Sequence, residues 1–269
     1  MLSINKIIKN NKRAINTFAM SKYTISNAFS QTFRFPIWKI EIDEKSKLIA
    51  IECRDPQNTL PYISVMDFDG LVHLDHYILP EKEWTLTAIQ GKKVILKKVS
   101  ENSPVSPGLW IIDYTNPNTT SLFHQYQYLG ILNGYIQMRP QHITSGFELY
   151  FSLIDDEVLT SIPAEIKPFD NDIVFPLEFN AEKPAFLQHY KNNEDLWISK
   201  CHDHFLWCFH EKQQDKYTVR LLISDQKQIL DEAVIIQDLD LKLVQIYFQI
   251  GCQIFLLTHN KQEFVSYLV

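Results

Sequence analysis

Glycine is scarce in this chain: there are 7 in 269 residues, against 12 prolines. Phosphate-cradling loops and nucleophile elbows need glycine at fixed spacings, and no GxGxxG, GxxxxGKS/T or GxSxG is present. The motif-bearing dinucleotide, P-loop and α/β-hydrolase classes are thereby excluded, and no cofactor is expected. No run of 18 apolar residues occurs, so no membrane-spanning helix is expected. Cysteine is limited to positions 53, 201, 208 and 252, each inside an apolar strand pattern, which points to reduced thiols in a cytoplasmic setting. Acidic residues are missing from residues 1–40, which carry seven basic ones. The remainder then holds 19 basic residues against 32 acidic ones, and so acidic a body repels phosphate backbones. Nucleic acid is not an expected partner. Residues 1–30 read as a basic tail, disordered or partly helical. Within it, residues 1–19 are either an over-long start ahead of Met20 or a transit-like targeting segment.

The chain does possess a repeat. β-rich runs end in aspartate at Asp67, Asp113, Asp155 and Asp225, in steps of 46, 42 and 70 residues. An aromatic opens each unit at Trp38, Trp84, Tyr128 and Trp197, in steps of 46, 44 and 69. Both rulers give a unit in the forties and put one long gap in the same place. A period in the forties with about four short strands per unit is the pattern of a propeller blade. The expected fold is all-β: a five-bladed β-propeller over 31–269, with an insertion after blade three.

The first unit reads as strands at 38–43, 47–52, 62–67 and 71–79, with Asp69-Gly70 as a hairpin signal. The fifth reads as only three strands, 243–250, 253–257 and 263–269. That would leave a bare sheet edge. Residues 31–36 are strand-like and unpartnered, so they are expected to supply the missing outer strand and close the ring N-terminus to C-terminus. The long gap places the insertion at 165–194. Its Phe169, Phe175, Phe179, Phe186 and Tyr190 suit either an extra hairpin, formed by 173–179 and 185–190, or an arm that binds a partner.

The layout resembles propeller families with WD-type blades, although no Gly-His…Trp-Asp pair closes any unit. The segment Ile37-Trp-Lys-Ile-Glu-Ile-Asp43, followed by Leu48-Ile-Ala-Ile-Glu-Cys-Arg-Asp55, resembles an uncharacterised bacterial family, a domain of unknown function. The resemblance spans about 33–269. It implies a bacterial cytoplasmic origin and carries no activity or functional residues.

Two constellations have chemical content. Cys201, His204, Cys208 and His210 are soft donors at short spacing, as zinc prefers. On a strand, however, His204 and Cys208 stand about 13 Å apart, and the parity also fits structural packing. Glu41 and Asp43 lie on the first strand of the first unit, with Asp195 just ahead of the fourth, as acids of a central-pocket glycosidase would. Glu52-Cys-Arg-Asp55 reads as a structural ion-paired turn, and the four strand-end aspartates read as turn caps. The leading expectation is a non-enzymatic scaffold or recognition module that meets a protein or small-molecule ligand at its rim or insertion. The alternative is a hydrolase. Oligomeric state is not legible.

Overall fold

Residues 23–99, 108–190, 195–258 and 260–269 are described by a computed structural model. Among them the strands form five antiparallel sheets, and Ala185–Leu187 is a single 3-10 turn. The first sheet holds Ile37–Asp43, Leu48–Arg54, Pro61–Asp67 and Val72–Ile78 in chain order. The second holds Trp84–Gln90, Lys93–Lys98, Leu109–Asp113 and Thr120–Phe123, and the third Tyr126–Leu132, Tyr135–Pro140, Leu149–Ser152 and Val158–Leu159. The fourth has Leu196–Cys201, His204–Gln213, Lys216–Ser224 and Ile229–Leu239. The fifth has Phe248–Ile250, Gln253–Leu257 and Glu263–Leu268.

Strand 48–54 is buried from Leu48 to Cys53, as a strand covered on both faces must be, whereas Val72–Ile78 is largely open to solvent. Three of the strand-end aspartates do cap turns. Asp67 Oδ1 accepts the N–H groups of Asp69 and Leu71, Asp113 Oδ1 that of Thr115, and Asp225 Oδ1 those of Lys227 and Gln228. In the third sheet Ser152 takes over. Its Oγ accepts from the Asp155 N–H and donates to Asp155 Oδ2.

The missing edge of the fifth sheet is covered by the N-terminal segment, but the strand is Ser26–Thr32, which overlaps the expected 31–36 only at Gln31 and Thr32. Ser26 pairs with Leu268 and Thr32 with Glu263. Beyond the strand, the Phe33 N–H still reaches Gln262 O at 2.7 Å. The basic tail therefore ends earlier than residue 30; residues 1–22 lie outside the described residues. Phe29 sits over Gly70, whose φ is +87° and whose missing Cβ would fall 2.6 Å from Phe29 Cβ. Only glycine satisfies both that backbone angle and that approach.

The insertion is neither a hairpin nor a free arm. Ile173–Val174 pairs with Phe248–Ile250 in the fifth sheet, and Leu177–Glu178 pairs with Leu196–Cys201 in the fourth. Ahead of them, Leu132 and Pro168 form a bridge and the Phe169 N–H donates to Ile131 O in the third sheet. Asn171 Nδ2 donates to Ile42 O while its Oδ1 accepts from the Glu44 N–H in the first. One segment thus caps the opening strands of four sheets.

Buried clusters join neighbouring sheets. Ile42, Ile51 and Met66 of the first pack with Phe255 and Phe264 of the fifth; Ala50 and Val65 with Leu86 and Val94 of the second; Ile95 and Ile111 with Ile136 and Phe151 of the third. Leu206, Cys208 and Leu221 of the fourth pack with Tyr247, Ile254 and Leu256 of the fifth. The other face of the fourth sheet, Trp207 and Phe209, packs against Phe179, Phe186, Leu187 and Tyr190 of the insertion.

Candidate functional site

The strand Ile37–Asp43 carries a bulge. Ile37 pairs with Cys53 and Lys39 with Glu52, so Trp38 has no residue opposite it. A bulge re-aims its extra side chain, and Trp38 is 69% exposed with the Arg54 guanidinium 5.5 Å from its ring centroid. Trp38 forms one wall of a groove between the first and fifth sheets. The cavity has a volume of about 720 Å³. Ile40 and Ile173 line it, Phe175 and Val244 stand at its mouth, and they are 51% and 89% exposed. Among the described residues the charged side chains lining it are Lys39, Lys242 and Lys261, with no carboxylate among them. In an acidic protein this is a local reversal of sign. Lys261 makes no ion pair among the described residues, whereas Lys39 and Lys242 are tethered to Glu41 at 2.9 Å and Asp195 at 2.6 Å.

Behind Lys39 lies a polar cluster drawn from three sheets. Lys39 Nζ also donates to Leu86 O at 2.8 Å. Burial raises the Glu41 carboxyl above its ordinary range, and Lys39 and Lys97 pull it back. The Lys97 ammonium stands 5.8 Å from the Tyr128 ring centroid. Tyr128 is pushed up to about 12 by burial and by the Glu41 charge.

Each of the sequence-based acids is engaged by its own neighbours. Asp43 is buried, its Oδ1 accepting from the Ser46 N–H and its Oδ2 from the Gly91 N–H, so it clips the first sheet to the second. Asp195 is held by Lys242. Each carboxylate has its own partners, and Glu41 is paired with Lys39. Glu52 is fully buried and is the centre of a further clip. It takes Arg54 Nη2 at 2.7 Å, the Thr85 hydroxyl at 2.8 Å and the Leu86 N–H at 2.7 Å. Arg54 adds the carbonyls of Thr59, Lys82 and Trp84.

The zinc quartet does not assemble either. Cys201 is disulfide-bonded to Cys252 and not reduced, and the His204 ring lies 3.7 Å from Tyr23. Cys208 is fully buried, with its thiol pushed up by desolvation, and His210 Nε2 accepts from the Leu243 N–H. Cys208 and His210 do share the face turned to the fifth sheet, while Phe205, Trp207 and Phe209 take the opposite one, as strand parity dictates. Among the described residues the donors that do converge, within 4.8 Å of one another, are Cys201, His202 and Cys252. Cys252 was invisible as a partner because 51 residues separate it from Cys201.

Of the five insertion aromatics, Phe175 lines the groove and Phe169 a second cavity beside Asp43 and Gly134. Phe179, Phe186 and Tyr190 are packing residues: the first two meet Trp207 edge-on at 5.0 and 6.1 Å, and Tyr190 meets Phe209 at 5.2 Å. The Tyr190 hydroxyl donates to Glu232. Sequence reasoning missed the groove because its wall residues come from 37–42, 173–175 and 242–261. The one readable signal is an apolar run, Leu243, Val244, Ile246, Tyr247 and Phe248, directly after Lys242.

No family model matches the chain, and no curated protein matches it. Among solved structures, TolB from Acinetobacter baumannii, a β-propeller protein, is similar at 13% identity and a TM-score of 0.27, covering 87% of this chain. The chain spans about half of that protein, 54% of its length. Among the described residues no helix is long and apolar enough to cross a membrane.

Proposed function

We propose that this chain is a recognition module, not an enzyme, built as a five-bladed propeller closed by its N-terminal strand, and that its ligand site is the groove between the first and fifth sheets. Sheets in chain order, buried clusters that join the fourth sheet to the fifth, the fifth to the first, the first to the second and the second to the third, and the pairing of Ser26–Thr32 with Glu263–Leu268 support the propeller reading. In a propeller the opening strands line the axis. The segment 166–178, bonded to four of those strands, then crosses the channel. That arrangement disfavours a central catalytic pocket and shifts binding to the side groove.

The observation that carries the ligand class is the groove's lining: exposed Trp38, Phe175 and Val244 beside three lysines and, among the described residues, no acid. Its volume suits a small molecule. An apolar body would cover the Trp38 and Val244 surfaces, and a carboxylate would meet Lys261. The ligand is a small amphipathic carboxylate. Tryptophan emission titrated with a medium-chain carboxylate and its matching alcohol tests this. A saturable change with the carboxylate is expected, absent in Trp38→Ala, weakened about tenfold in Lys261→Met, and weaker for the alcohol. Equal responses to acid and alcohol, or none, would rule it out.

A further inference from the structure

Two hairpin tips meet where the fourth and fifth sheets adjoin. One, after Leu196–Cys201, presents Cys201 and His202; the other, after Phe248–Ile250, presents Cys252. The Cα atoms of Cys201 and Cys252 are 5.5 Å apart, and both sulfurs and an imidazole nitrogen of His202 lie within 4.8 Å of one another. Cys201 is buried, Cys252 half-buried and His202 exposed, so the cluster opens to solvent on the imidazole side.

We propose that this cluster is a redox-gated site for a thiophilic divalent cation of the zinc type. In the reduced protein the Cys201 and Cys252 thiolates and the His202 imidazole hold the ion, with water in the fourth position. In the oxidised protein the two sulfurs bond to each other and the ion is released. Zinc binds sulfur at about 2.3 Å and imidazole nitrogen at about 2.0–2.1 Å, so tetrahedral donors sit roughly 3.5–3.8 Å apart. That spacing falls inside the observed cluster and requires the sulfurs only to separate, with the hairpin tips left in place. Cys53 and Cys208 are buried singly and take no part.

A dithiol reductant gives two electrons and two protons to the disulfide and becomes a cyclic disulfide, leaving Cys201 and Cys252 as thiols. Binding M²⁺ displaces both thiol protons. In the reverse direction hydrogen peroxide accepts two electrons from the two thiolates and, with two protons, leaves as two waters. The sulfur–sulfur bond forms and M²⁺ departs. Either state ties the fourth sheet to the fifth. Among the described residues the fourth sheet shares buried clusters with the fifth and with the insertion but not with the third, so a link here secures its attachment.

The test uses the full chain, reduced with a dithiol, freed of reductant without oxygen, and titrated with Co²⁺ and then Zn²⁺. One equivalent of Co²⁺ should give a thiolate-to-cobalt charge-transfer band that Zn²⁺ abolishes, and the untreated oxidised protein should give none. The band should be lost in Cys252→Ser and retained in Cys53→Ser. His202→Ala should weaken Zn²⁺ binding about tenfold or more. The oxidised and reduced wild-type comparison stands even where a serine variant does not fold. Absence of the band in reduced wild type, its persistence in Cys252→Ser, or unchanged affinity in His202→Ala would overturn the proposal.

Discussion

The boundary between the first and second sheets and the boundary beside the third and fourth are built from different materials. The former is a sheet-to-sheet contact: Leu48, Ala50, Ile63 and Val65 interdigitate with Leu86, Ile89, Val94 and Leu96, and the polar edge is closed by Glu52, Arg54 and Asp43. The latter is filled by chain. Phe179, Phe186, Leu187 and Tyr190 occupy the face of the fourth sheet around Trp207 and Phe209, where a neighbouring sheet would otherwise pack. A direct contact is made of long-range strands that exist only when the whole fold exists. A wedge of loop is stabilised by fewer ladder hydrogen bonds and can open locally. The two boundaries should therefore fail differently.

The largest expected effect is at the N-terminal strand, which belongs to the sheet-to-sheet type. Deletion through Phe33 removes Phe29 and Phe33, each worth about 1.5–3 kcal/mol of burial, and uncovers the edge of Glu263–Leu268. The loss of about 5 kcal/mol or more should abolish cooperative thermal unfolding; mere fraying with an intact transition would contradict it. Next is Glu52→Ala. It strands Arg54 and the Leu86 N–H at a buried site and should cost about 3–5 kcal/mol by urea denaturation. On the wedge side, Phe186→Ala should cost only about 1–2 kcal/mol globally while clearly speeding proteolysis and amide exchange in 179–190. A global loss as large as that of the truncation would erase the distinction.

The smallest effect is electrostatic and falls between the fourth and fifth sheets. Burial, reinforced by Lys242 and opposed by Asp195, holds the His210 imidazole below its usual pKa. Below about pH 6.5 the unfolded chain takes up a proton that the folded chain refuses. His210 therefore contributes stability above that pH, and the contribution is lost as pH falls through the lowered folded value. His210→Gln should flatten the dependence of the urea midpoint between about pH 7 and pH 5 while keeping an acceptor for the Leu243 N–H. An unchanged slope in the variant would assign the dependence to other groups.

The strand pattern was largely readable. The expected first-unit strands differ from Ile37–Asp43, Leu48–Arg54, Pro61–Asp67 and Val72–Ile78 by one or two residues at their ends, because alternation and turn residues act locally. The site was far less so. The aromatic ruler aligned Trp38 with Trp84, yet a bulge expels Trp38 to 69% exposure while Trp84 is 2% exposed. The closing strand lies at Ser26–Thr32, whose small residues alternate weakly, and the stronger Phe-Arg-Phe-Pro pattern of 33–36 follows it.

The sequence by itself determined the all-β class, the unit length, the position of the insertion and the need for a partner at the last sheet's edge, since all of these follow from period-two patterning and from turn chemistry over a few residues. The tertiary structure alone decided that Cys201 meets Cys252, that 166–178 caps four opening strands, and that Trp38, Phe175 and Val244 surround one groove. Those pairings join residues tens to hundreds of positions apart. Which partners meet is fixed by how whole sheets pack, and local propensity does not encode that.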